Sequence, residues 1–134
     1  MQILKVHLKK RYYAQRSFSS GRCAEFTRKA IQAGGITLGH TYHAKDYGPM
    51  LRSAGFTAIG TYEMPREGDV INVIIIQPYA GDVIIIQPYA GGNPSGHMAI
   101  YDGADWYSDF KQRDMWAGPG YRAARPSYTI YRKN

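Results

Sequence analysis

A literal repeat in the middle of the chain constrains the fold more than any other feature. Residues 68–92 read GDVINVIIIQPYAGDVIIIQPYAGG, so VIIIQPYAG occurs at Val73–Gly81 and again at Val83–Gly91. Consecutive β-branched residues followed by Gln-Pro and a glycine are typical of a short strand that ends in a turn. Two strands with different neighbours would diverge, so the identity indicates that residues 68–91 are a tandem duplication of one strand.

Only one copy leads directly into the segment GNPSGHMAIYDG that follows. We expect the second copy to hold the native strand position, because its link to His97 is short. We expect the first copy to add a strand through a hairpin at Pro78–Asp82. Two alternatives stay open: the first copy loops out, or its apolar edge pairs with another molecule and gives a strand-mediated homodimer.

Helical patterns precede the repeat and strand patterns follow it. One helix is predicted over Arg22–Ala33, with Ser19 or Ser20 as N-cap and Gly34-Gly35 as the stop. A second is predicted over about Ala44–Ala54, with Pro49 in its first turn. The strand candidates are Val70–Gln77, Val83–Gln87, His97–Tyr101, Asp105–Asp109 and Tyr128–Arg132. This order, without alternation of strands and helices, predicts an α+β fold with an antiparallel sheet.

Length and composition narrow the class of protein. The 134 residues fit a single domain over 1–134, in which residues 1–16 form a basic arm. A single cysteine excludes a disulfide scaffold within the chain. The start lacks the apolar core of a signal peptide, and the apolar runs are too short to span a bilayer, which predicts synthesis in the cytoplasm and no membrane partner. A net charge of +7 favours anionic partners.

Cys23 is the first candidate for chemistry. It falls in the first turn of a predicted helix, where unpaired backbone N–H groups and the helix dipole stabilise a thiolate, and Arg22 adds positive charge. A thiolate is the nucleophilic form of cysteine. The alternative interpretation is a small buried hydrophobic residue.

His97 and Asp109 complete a possible constellation. His97 opens the strand HMAIY after a turn-rich segment, and its imidazole is suited to take a thiol proton. A hairpin through Asp102-Gly103 would place Asp109 near His97, where a carboxylate can orient the imidazole. Each residue also has an ordinary interpretation: a histidine at a strand end, and a surface aspartate paired with Lys111 or Arg113.

A metal site finds little support in the sequence. His40 and His43 are spaced i, i+3 and form a possible zinc site with His97 or Cys23. A second cysteine and an HExxH motif are both missing from the sequence. We therefore predict no metal and no cofactor.

Three segments in order, SGRCAEFTRKAIQAGG, SGHMAIYDG and WYSDFKQRDMW, resemble the CHAP and NlpC/P60 group of bacterial cysteine amidases and peptidases. Within this group, the short SGRCAEF form and the WYSDFKQRDMW strand look more like the amidase effectors of type VI secretion and their housekeeping relatives. The resemblance covers roughly Ser17–Arg122. It implies a papain-like fold in which a helix that begins at the cysteine packs on an antiparallel sheet.

The resemblance also implies a function. Cys23 matches the nucleophile, His97 the general base and acid, and Asp109 the orienting residue. The implied reaction is hydrolysis of an amide bond in peptidoglycan through a thioester, by a secreted effector or lysis enzyme that acts in the cell wall or periplasm after export. The oxyanion would sit at the backbone N–H of Cys23, with a second donor from Tyr13 or Gln15.

Two other functions stay open at this stage. One is a non-catalytic module that binds the cell wall on the same fold. The other is a basic domain that binds nucleic acid, although no recognition motif accompanies the charge. We predict that nucleic acid is not a partner.

Overall fold

The computed structural model describes residues 22–63 and 77–133. Its helices are α1 (Cys23–Ala33), a 3₁₀ turn (Ala44–Asp46), α2 (Gly48–Ser53) and α3 (Pro119–Ala124). Its strands are β1 (Phe56–Tyr62), β2 (Val83–Ile86), β3 (His97–Tyr101), β4 (Trp106–Tyr107) and β5 (Tyr128–Lys133). They form one five-stranded antiparallel sheet in the order β1-β5-β2-β3-β4. The α+β prediction is confirmed.

The second copy of the repeat supplies the central strand, β2. It pairs with β3 on one side and β5 on the other, and its four residues are all buried. Val83 and Ile85 pack with the cluster around α1 and α2, whereas Ile84 and Ile86 pack with the cluster around Tyr121 on the opposite face. A strand covered on both faces needs side chains that are apolar throughout, and VIII meets that need.

The first copy is described only at its end. Its residues 73–76, and with them most of the predicted strand Val70–Gln77, lie outside the described residues. Residues 77–81 form a turn in which the Asp82 N–H donates to the Tyr79 carbonyl and the Gly81 N–H donates to the Tyr101 carbonyl. The turn therefore rests against the end of β3. Whether the first copy adds a strand or mediates a dimer stays a prediction.

Helix α1 forms where the sequence predicts it. Its buried residues, Cys23, Thr27, Ala30 and Ile31, recur at the spacing of one helical face. The helix ends at Gly34, and Gly35 follows with a φ of +90°, which suits a residue without a side chain. The predicted N-caps Ser19 and Ser20 lie outside the described residues.

Other elements differ from the sequence prediction. The second helix is divided into the 3₁₀ turn and α2, because Pro49 has no N–H to continue a helix and instead sits in the first turn of a new one. Strand β4 covers two residues of the predicted five, since the chain turns back after Tyr107. Strand β1 and helix α3 were not predicted, and neither shows a regular apolar pattern.

Candidate active site

Cys23 is the first residue of α1 and faces the sheet. It is 8% exposed and packs in the cluster between the helix and the strands. One turn later, the Thr27 hydroxyl donates to the Met98 carbonyl at 3.3 Å. The backbone of Met98 also acts on the Cys23 sulfur, where it lowers the pKa of the thiol. The helix is thus fastened to the beginning of β3, one residue from His97.

His97 is held by a glutamine. Its Nε2 lies 2.6 Å from Oε1 of Gln112, and both residues are buried. The Gln112 amide nitrogen donates to the carbonyls of Asp114 and Met115. Because that nitrogen is occupied, the amide oxygen faces the imidazole and Nε2 must carry the ring hydrogen. This tautomer leaves the lone pair on Nδ1 available to accept a proton.

Asp109 lies at the start of α1. Its carboxylate accepts hydrogen bonds from the backbone N–H of Arg22 and from the hydroxyl of Ser108, each at 3.2 Å. An anion at a helix N-terminus is stabilised by the helix dipole. The sequence assigned Asp109 to the second ring nitrogen of His97, and in the structure Gln112 makes that contact. The chain turns back after β4 and brings Gln112 under the ring, with its N–H bonded to the Trp106 carbonyl.

Burial keeps both reactive groups uncharged. It raises the pKa of the Cys23 thiol to about 11; the Met98 backbone acts against this shift and the charge of Asp109 adds to it. Burial also lowers the pKa of His97, against the opposing effects of the Gln112 hydrogen bond and of Asp109. The sequence predicted a stabilised thiolate at this position, whereas in the structure burial raises the pKa of the thiol. Near neutral pH the site therefore holds a thiol and a neutral imidazole.

A cleft of about 640 Å³ opens in front of Cys23. One wall is the first two turns of α1, with Arg22, Glu25 and Arg28. The opposite wall consists of residues from two loops. They are His40, Tyr42, Ala44, Asn93 and Ser95. A substrate that reaches the sulfur passes between a charged helix and a polar loop.

Two tyrosines cover the other side of His97. The Tyr121 ring lies 5.8 Å from the imidazole, and the Tyr89 ring lies 4.9 Å from Tyr121. Burial raises the pKa of Tyr121 to about 12, with smaller contributions from Cys23 and Tyr89. The Tyr121 hydroxyl is buried and has no hydrogen-bond partner within residues 22–63 and 77–133.

The structure thus brings together residues that the sequence did not associate. Gln112 and Tyr121 were not predicted as site residues, although Gln112 stands within the quoted segment WYSDFKQRDMW. One glutamine among six and one tyrosine among 12 give no distinguishing signal in a sequence.

The structure places His40 and His43 near the cleft without a metal arrangement, and the other candidates lie outside the described residues. His40 lines the cleft, whereas Nδ1 of His43 lies 2.6 Å from the Ser95 hydroxyl. Among the described residues, no group of three or more histidine, cysteine, aspartate or glutamate side chains is arranged to hold a metal ion. Tyr13 and Gln15, the candidate oxyanion donors, lie outside the described residues. None of the described helices is long and apolar enough to cross a membrane.

Comparison with solved structures gives close matches over nearly the whole chain. No family model and no curated protein matches the chain. A chain of the native type VI effector–immunity complex Tae3–Tai3 from Ralstonia pickettii superposes with a TM-score of 0.79 and 44% identity, over 98% of this chain and 97% of that one. A chain of the selenomethionine form of the same complex gives 0.77 and 45%, over 96% of this chain and 98% of that one.

Proposed function

We propose that this chain, which belongs to the family of type VI effector–immunity proteins represented by Tae3–Tai3, is the effector of such a pair. In this proposal it is a papain-like cysteine hydrolase that cleaves an amide bond in bacterial peptidoglycan. The observation that carries the proposal is that α1 begins at a buried cysteine and is joined through Thr27 to β3, which begins at a buried histidine whose Nε2 is bonded to Gln112. A protein that only blocks an enzyme has no need of this arrangement.

The proposed reaction begins from uncharged groups. Nδ1 of His97 takes the proton of the Cys23 thiol while the sulfur attacks the amide carbonyl, so no free thiolate is needed beforehand. The imidazolium that forms is stabilised by the nearby carboxylate of Asp109, and Gln112 keeps the ring in place. His97 then protonates the leaving amine, and a thioester remains on Cys23. Water, deprotonated by His97, attacks the thioester and releases the acid.

The biological setting follows from the proposal. As an effector, the protein would be delivered by a type VI apparatus and act on the cell wall in the periplasm of the recipient. Its protein partner would be an immunity protein that covers the cleft. Tyr42, 83% exposed at the cleft wall, offers a large aromatic contact to such a partner.

Incubation of the purified protein with sacculi tests the proposal. We expect soluble muropeptides to be released with new amine and carboxyl termini, and we expect Cys23→Ala to release none while still binding sacculi. Binding without release by the wild-type protein would instead support a wall-binding module. Failure to bind or cut sacculi, together with inhibition of a separate wall hydrolase, would identify the immunity partner.

Duplex DNA serves as a third arm of the same experiment. Tight binding of DNA that weakens steeply with salt, with no effect on sacculi, would favour the nucleic-acid alternative.

A further inference from the structure

We propose that Arg28 forms a carboxylate-binding subsite in the cleft beside Cys23. The substrate would then carry a free carboxylate on the part that extends along α1 from the amide to be cut. This inference rests on the proposed hydrolase function and specifies the class of peptide that the site accepts.

Two of the positively charged side chains on α1 share one carboxylate. Arg22 contacts Glu25 at 2.6 Å, and Lys29 contacts the same carboxylate at 2.9 Å. These two cations hold the pKa of Glu25 at about 2, so Glu25 is ionised at any pH at which the enzyme would work. The charge of Glu25 is therefore already engaged by Arg22 and Lys29.

Arg28 has no acidic partner within residues 22–63 and 77–133. Its Nη1 donates to the neutral amide oxygen of Gln32 at 3.3 Å, and its Nε is buried without a hydrogen-bond partner among the described residues. A buried donor without a partner is costly, whereas a carboxylate accepts two parallel hydrogen bonds from a guanidinium. A carboxylate that enters the cleft would offer Arg28 an acceptor of opposite charge, and Arg28 lines the same cleft as Cys23.

The position of Arg28 along the helix limits where that carboxylate lies. Arg28 follows Cys23 by five residues, which corresponds to roughly 7.5 Å along a helix axis. An extended peptide advances about 3.3–3.6 Å per residue. Arg28 also lies about 140° around the helix from Cys23, so this rise is a minimum separation and the carboxylate is expected two or more residues from the scissile amide. Across the cleft, Asn93 and Ser95 supply polar groups for the intervening backbone.

Removal of the negative charge from the carboxylates of the substrate tests the subsite. Muropeptides released from sacculi by a muramidase keep their stem peptides, and carbodiimide coupling with ammonia converts their free carboxylates to carboxamides. We expect amidation to lower kcat/KM of the wild-type protein by roughly ten- to a hundredfold, because a hydrogen bond to a charged group is lost. The change should lie mostly in KM, since the contact is remote from the reacting atoms.

Three variants distinguish a specific contact with Arg28 from a general effect of positive charge on α1. Arg28→Met should lower kcat/KM on untreated muropeptides by the same factor and make kcat/KM insensitive to amidation. Arg28→Lys should recover part of the preference for untreated over amidated muropeptides. Lys29→Met removes one positive charge from the same helix outside the cleft and should keep the full preference.

The possible outcomes distinguish this inference from the proposal on which it rests. Equal cleavage of both substrates by the wild-type protein contradicts the subsite and leaves the hydrolase standing. An undiminished preference for the untreated muropeptides in Arg28→Met, with an unchanged melting temperature, also contradicts the subsite. Cleavage of neither substrate by the wild-type protein contradicts the hydrolase and the subsite together.

Discussion

Residues 77–81 and 87–91 share the sequence QPYAG, and the backbone turns in the same way at both. The Asp82 N–H donates to the Tyr79 carbonyl and the Gly92 N–H to the Tyr89 carbonyl. Gly81 and Gly91 have φ values of +95° and +88°, as the third residue of a type II turn requires. The local sequence thus determines the local backbone in both copies.

The two tyrosines of these turns nevertheless have different surroundings. Tyr89 packs on Tyr121, which packs on His97, whereas Tyr79 is 60% exposed and lies under the guanidinium of Arg132 at 4.0 Å. Each turn therefore contacts a different part of the molecule. The turn of the second copy lies at the candidate active site, and the turn of the first copy lies at Arg132, near the end of β5.

The residue after each turn accounts for this difference. A side chain at Gly92 would overlap the Tyr89 ring, so the ring can lie there only because Gly92 has none. The equivalent residue in the first copy is Asp82, whose carboxylate accepts from the Tyr79 N–H and from two nitrogens of Arg132, all at 2.8–2.9 Å. The two copies therefore differ at one residue after the turn. Gly92 leaves room for Tyr89 beside the candidate active site, and Asp82 binds Arg132 of β5.

The largest expected effect comes from the strand of the second copy. Ile84→Asp places a carboxylate in a fully buried position of the central strand. We expect a loss of at least about 4 kcal/mol in unfolding free energy, enough to prevent cooperative folding. Chemical denaturation followed by circular dichroism measures it. A folded, stable Ile84→Asp protein would mean that the first copy can replace the second in the sheet.

A smaller loss of stability is expected at the turn of the first copy. Arg132→Met leaves the Asp82 carboxylate buried without its cation. Because Arg132 itself is partly exposed, we expect a loss of about 2–3 kcal/mol, at the lower end for a broken buried pair. The denaturation midpoint checks this value. Activity of the folded fraction should be unchanged, and a fall in kcat would contradict the separation of the two turns.

A substitution at Gly92, the residue that follows the second turn, should affect catalysis. Gly92→Asp makes the second copy match the first and displaces the Tyr89 ring from Tyr121. With the support of His97 loosened, we expect kcat to fall roughly tenfold. Tyr79→Ala, which removes the corresponding tyrosine ring from the first copy, should leave kcat within error. Equal kcat values for the two variants would show that Tyr89 has no influence on the site.

The smallest expected effect is a shift in the pH dependence of kcat/KM. Burial lowers the pKa of His97, so the acid limb of kcat/KM in the wild-type protein should lie below pH 6.5. Gly92→Asp admits water near the imidazole, which raises its pKa toward the ordinary value and moves the limb to higher pH. Profiles of kcat/KM against pH should show this shift in Gly92→Asp and none in Tyr79→Ala. A shift to lower pH would contradict burial as the cause.

The parts of the fold that were predicted depend on local patterns. Helix α1 has good helix formers and a double-glycine stop, and β2 and β3 are short apolar runs bounded by turn residues. Strand β1 was missed because it is an edge strand that contains Gly60 and is mostly half-exposed, so it has no alternation to recognise. Helix α3 is six residues long and begins with Pro-Gly.

The candidate site was predictable in part, because two of its residues also depend on local sequence patterns. Cys23 and His97 stand at the starts of elements that the sequence defines. The partner of His97 depends on how the chain folds back after β4, where Asp109 and Gln112 are three residues apart and only the tertiary structure distinguishes them. The contact with Tyr121 joins residues 24 positions apart and has no local signature.

Detection of a covalent intermediate tests the nucleophile most directly. The protein would be quenched in acid while it turns over muropeptides, digested, and analysed by mass spectrometry. The account predicts a peptide containing Cys23 whose mass is increased by the acyl part of the substrate, and no such adduct or product with Cys23→Ala. Continued release of product by Cys23→Ala would contradict the account.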